Sequence, residues 1–117
     1  MKTLLAILAF TLAACAATTN SPGTTAQLTL QGVESAYQAA GQAELVYLKL
    51  PTCGTPAATT ALCATPERRA QIKAFDNQAY AAIVSARAAA DAALPSAPAA
   101  LSVANEKVTT FAVSIPK

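Results

Sequence analysis

Residues 65–95 read TPERRAQIKAFDNQAYAAIVSARAAADAALP, and the fold turns on this run. Thr65 is an N-cap residue, Pro66 suits the first helical position because no N–H is needed there, and Glu67 lies where the helix dipole favours an anion. Pro95 stops the helix after Leu94. Between these marks Ile72, Phe75, Ala79, Ala82, Ala86, Ala89 and Ala93 recur at alternating steps of three and four, with Tyr80 and Ile83 beside them. That is the period of one helix face and not of a strand. Alanine at so many positions of the seam predicts a partner helix lying close. Arg87 and Asp91, four apart, read as a solvated pair on the outer face.

Two further segments carry the same period. Upstream, Thr24 with Gln27 at the third helical position forms a capping-box pattern, and Pro51 ends the segment after Leu50. Along residues 24–50 the expected seam is Val33, Ala36, Ala40, Ala43, Tyr47 and Leu50, widened by Leu30 and Tyr37. Glu44 lies next to that seam and reads as a rim residue. Downstream, Leu101, Ala104, Val108, Phe111 and Ile115 keep the phase after Ser96-Ala97-Pro98. Their β-branched neighbours leave a partly extended form open, but the phase favours helix. The fold class expected is all-α: an antiparallel hairpin of residues 24–50 and 65–94, with residues 98–115 completing a small three-helix bundle. The tyrosines Tyr37, Tyr47 and Tyr80 are expected to pack at the seams with their hydroxyls at the edge.

Near the start of the chain Lys2 is followed by an apolar run from Leu4 to Ala14 that reaches Cys15. The run is too short to span a bilayer and has the layout of a secretory signal. Leu12-Ala13-Ala14-Cys15 resembles the lipobox of bacterial lipoproteins. The resemblance implies that Cys15 is alkylated by diacylglycerol and becomes the first residue after cleavage, and it divides the chain into a signal peptide (1–14), a lipidated tether (15–23) and a helical domain (24–117). Ala14-Cys15-Ala16 also fits the Ala-x-Ala site of the general peptidase; the position of the cysteine directly after the apolar run favours the lipid. Two or more acyl chains hold a protein stably to a membrane. With Ala16 and not Asp after the cysteine, the resemblance implies an outer-membrane location facing the periplasm.

The chain has three cysteines. With Cys15 given to the lipid, Cys53 and Cys63 remain as a pair in an oxidising compartment and read as a structural disulfide closing a turn-rich loop. Its chain-entropy contribution is somewhat under about 3 kcal/mol. Half of a zinc site and a redox-active pair are the competing readings; the first lacks histidine partners, and the second wants a Cys-x-x-Cys spacing.

Tyr37 to Ala93, with Leu50-Pro51-Thr52-Cys53, a short loop, Cys63, Pro66-Glu67 and an alanine-rich helix, is loosely similar to small prophage-encoded lipoproteins, from which no site residues are carried over. Lys117 is similar to the terminal lysine of the murein lipoprotein, which is joined to peptidoglycan. That protein is one long coiled-coil helix, whereas Pro51, Pro66, Pro95 and Pro98 break this chain, and an unmodified lysine is the preferred reading.

Composition narrows the function. With no histidine and no tryptophan, 12% charged residues and a net charge of +2, the chain lacks the commonest general base and metal ligand, and lacks the basic stripe of a nucleic-acid binder. The six acids scatter without an evident pairing. The expectation is a non-catalytic structural or interaction module of the envelope, with no cofactor, no metal and no nucleic-acid partner. Its partners would be the membrane through its anchor and an envelope protein or a second copy.

Overall fold

The computed structural model describes residues 22–58 and 62–117, which form three helices: α1 (Pro22–Leu48), α2 (Pro66–Asp91) and α3 (Ala97–Ser114). Cys15 and the leader lie outside the described residues. Among the described residues there is no strand beyond a single isolated bridge, Thr52 with Ala64, and no helix is long and apolar enough to cross a membrane. All three helices pack on one another, and α2 shares its largest interface with α3.

The helix limits follow from local chemistry. In α2, Thr65 has extended φ and ψ of −81° and 147°, and its hydroxyl accepts the Arg68 N–H at 3.2 Å, as expected of the cap. The far end differs from the expectation: α2 stops at Asp91, three residues before Leu94. Ala93 takes a left-handed φ of 49°, and the Leu94 and Ala93 N–H groups turn back to the carbonyls of Ala89 and Ala90 at 2.9 and 3.0 Å. This is a Schellman closure with alanine where glycine is usual. α1 begins at Pro22, two residues before the expected cap Thr24, because a proline is well placed in a first helical turn. Its last turn tightens through Lys49 N–H to Val46 O and Leu50 N–H to Tyr47 O, and helix ends at Leu48 before Pro51 forbids it. α3 is helical throughout; the hydroxyls of Thr109, Thr110 and Ser114 donate to carbonyls of Asn105, Glu106 and Phe111, so these residues are accommodated inside the helix.

The core runs along the three seams. α3 buries Leu101, Ala104, Val108 and Phe111, and Ile115 is buried just past its end, so all five positions expected are in the core. α2 buries Ile72, Ala79, Ile83, Ala86, Ala89 and Ala90; Ala93 and Tyr80 lie outside, Tyr80 with 59% of its surface exposed. α1 buries Ala26, Leu30, Val33, Ala40, Glu44 and Tyr47, whereas Ala36 and Ala43 face outward. The stripe is thus rotated from the expected one toward Leu30 and Tyr37, because larger side chains remove more apolar area from water than alanines do. Tyr37 links all three helices: its ring lies 5.8 Å from that of Phe111 and 6.5 Å from that of Tyr80.

Candidate functional site

The turn between α1 and α2 is closed twice. Cys53 and Cys63 form a disulfide across a sequence separation of 10, with their Cα atoms 4.9 Å apart. Inside it, Cys53 N–H donates to Ala64 O at 3.1 Å and Ala64 N–H to Pro51 O at 2.9 Å, and Ala64 is fully buried. Gly54 takes φ of 82° in the tight turn from Thr52 to Thr55, a conformation open to glycine without strain. Arg69 reaches back one helix turn from the cap, and its Nη2 donates to Leu50 O. The Nε of the same guanidinium is buried and has no hydrogen-bond partner among the described residues.

Against this neck lies an open, mostly apolar groove of about 600 Å³, lined by Val46, Tyr47, Leu50, Leu62, Pro116 and Lys117 among others. Val46 and Leu62 are 68% and 67% exposed. Lys117, singled out in the sequence for peptidoglycan attachment, therefore sits beside the disulfide and at the opposite end of the bundle from the start of α1.

A second cluster occupies the middle of the α1–α2 interface. The Tyr37 hydroxyl donates to Asp76 Oδ1 at 2.6 Å. Glu44, read in the sequence as a rim residue, is on the seam and only 8% exposed. Burial raises its carboxyl above the ordinary value, the nearby Asp76 carboxylate raises it further, and Lys73 works against both. Burial and the hydrogen bond to Asp76 likewise hold the Tyr37 hydroxyl in its protonated form far above the usual phenol range. The sequence signal was present in the spacing, since Tyr37 and Glu44 are seven apart, but the alanine-rich first seam obscured it. Chemically the arrangement is a cross-tie: a hydroxyl donating to one carboxylate, with a second, protonation-prone carboxyl beside it.

Toward the other end, Arg87 pairs with Glu34 of α1 and not with Asp91 as expected; its Nε lies 3.0 Å from Glu34 Oε1. Asp91 instead accepts a hydrogen bond from Gln27 Nε2 at 2.8 Å. Both residues thus clamp α1 to α2. A hollow of about 210 Å³ between Glu34, Tyr37, Tyr80, Val84 and Arg87 lies on the same face. Among the described residues no group of three or more His, Cys, Asp or Glu side chains is placed to hold a metal ion.

The outward face of α1 carries small and apolar side chains. Gly32, Ala36, Ala39, Ala43 and Val46 are all exposed, and no charged side chain of α1 lies among them: Glu34 turns to Arg87 and Glu44 inward. No family model, no curated protein and no solved structure matches the chain.

Proposed function

We propose that this chain is a lipid-anchored protein of the bacterial envelope that serves as a non-catalytic structural or interaction module. The observation that carries the reading is Leu12-Ala13-Ala14-Cys15 directly after the apolar leader, with the first helix of the bundle beginning seven residues beyond the cysteine at Pro22. Acyl groups on Cys15 hold the chain to the membrane, on the periplasmic side of the outer membrane, and the bundle stands off on a tether of a few residues. The uncharged outer face of α1 supports a role in contact with a partner, an envelope protein or a second copy.

A second reading draws support from the helix order. Three helices running up, down and up put Lys117 one helix length, about 40 Å, from the start of α1, so a link from Lys117 to peptidoglycan would span from membrane toward wall. An envelope factor of prophage type remains the third reading, on the order of motifs from Tyr37 to Ala93 alone.

Cys15→Ala tests the anchor. The parent is expected in the membrane fraction with acyl groups on its mature N-terminus, and the variant is expected to leave that fraction. A variant that fractionates as the parent does, with no acyl mass on the parent, overturns the proposal.

A further inference from the structure

The hollow on the α1–α2 flank differs from the groove at the neck in that its own lining holds an aromatic ring together with hydrogen-bonding groups. On α2, Tyr80, Val84 and Arg87 follow one another at steps of four and three, and on α1, Glu34 and Gln38 stand one turn apart, so two adjoining helix faces meet at the opening. Ile83 is buried and closes the bottom beside Tyr37, whose hydroxyl is fixed on Asp76. Tyr80 and Val84 are about half exposed and border the mouth.

The rim sets the charge and polarity of what fits. Glu34 and Arg87 neutralise each other, and Arg87 directs Nε and Nη2 to the single oxygen Oε1, which leaves further donors on the guanidinium and acceptor capacity on the carboxylate. Gln38 is exposed and adds an amide that both donates and accepts. A free cation or anion meets a like charge of the pair, and a bare hydrocarbon ring leaves the rim groups without partners where it displaces their water. A neutral molecule with an apolar face and hydroxyls at its edge escapes both costs. At about 210 Å³ the hollow lies below the roughly 300–1,000 Å³ of drug-sized sites, which limits it to a single small ring.

We propose that this hollow binds one neutral pyranose ring with equatorial hydroxyls, either a free sugar or one unit of a glycan chain. In such a ring the axial C–H bonds form an apolar face, which packs on the electron-rich face of Tyr80 and against Val84. Neighbouring hydroxyls at the ring's edge donate and accept at once, and bridge Gln38, Glu34 and the spare donors of Arg87. None of these residues belongs to the leader or depends on Cys15, so the inference is independent of the anchor.

The test titrates the full-length chain carrying Cys15→Ser, its disulfide formed, with methyl β-glucopyranoside, followed by backbone amide and tyrosine ring shifts. One glucoside is expected to bind per chain in the millimolar range, with shifts centred on Gln38, Tyr80 and Val84 and an affinity that added salt does not weaken. Methyl α-mannopyranoside carries an axial oxygen on each face and is expected to bind roughly fivefold or more weakly, because that oxygen meets the ring without a partner. Tyr80→Ala, at an exposed position, is expected to weaken the glucoside about fivefold with the amide spectrum otherwise retained, and Tyr80→Phe is expected to bind as the parent does. Cellotriose binding more tightly than the monosaccharide at the same residues supports the proposal with a glycan chain as the source, and equal affinity supports it with a free sugar. No binding of the glucoside, shifts centred elsewhere, equal affinity for the mannoside, or undiminished binding by Tyr80→Ala would each overturn it.

Discussion

Glu44 occupies a position on the α1 seam where an apolar side chain would ordinarily stand, and its surroundings fix the sign of its effect on stability. Burial and Asp76 disfavour the ionised form and Lys73 only partly opposes them, so the folded carboxyl titrates above its ordinary 4.5. Over the interval above 4.5 the native state keeps a proton that the unfolded chain has released, so stability falls as pH rises through it. The contribution is fully present below the unfolded value and is lost above the folded one. Glu44→Gln keeps the shape and removes the charge. Its melting temperature is expected to exceed the parent's above this interval and to lose the part of the pH slope that Glu44 supplies. Thermal melts of both proteins across the acidic range decide the matter, and parallel pH profiles would contradict it.

Among the elements, α2 is held at its two ends by unequal means. Thr65 supplies the start with a side-chain oxygen, while the stop relies on Ala93 in a conformation that costs an L-residue about 1–2 kcal/mol. Glycine carries no such penalty, though it loses more backbone freedom on folding. Ala93→Gly is therefore expected to stabilise the protein by about 0.5–1 kcal/mol, read as a higher urea midpoint at unchanged slope; an equal or lower midpoint would show that the turn is not strained.

The same helix shows what was legible from residues alone. Its start could be read because the cap, the proline and the acid act within one turn of each other. Its end was misplaced by three residues because the turn closes through backbone bonds at an alanine, which carries no signature of left-handed φ. The phase of α1 was partly misread for a related reason: Ala36 and Ala43 are apolar without being large, so a stripe through them looks as good as the one through Leu30 and Tyr37 that the fold selects. The polar cluster was hidden because Asp76 belongs to a different helix, and only packing brings it to Tyr37 and Glu44. The groove beside the disulfide likewise draws on α1, the loop and the residues past α3, which no single stretch of sequence places together.

On the scale of the whole molecule, the three seams meet at Phe111. It is fully buried, stacks at a tilt on Tyr37, and ties α3 to the cross-linked centre of the α1–α2 interface. Phe111→Ala removes a large side chain where the surrounding helices cannot close the gap, and is expected to cost about 3–5 kcal/mol. In a domain whose total stability is typically about 5–15 kcal/mol, that is a third or more of the total at the middle of the range and nearly all of it at the lower end. Denaturant unfolding followed by circular dichroism measures it, and a loss below about 1 kcal/mol would mean that the core repacks around the site.

The disulfide sets how this bundle would respond to tension. Because three helices carry the chain from one end to the other, a pull applied between the start of α1 and Lys117 draws α1 and α3 past each other lengthwise, loading their whole interface at once. Once α1 parts from α2, the force passes through the sulfur bridge and skips the loop between Cys53 and Cys63. The ten-residue step across that loop would release roughly 30 Å of slack if the bridge were reduced. The bridge therefore leaves the length of the folded bundle unchanged and shortens the chain only after the helices have been drawn apart.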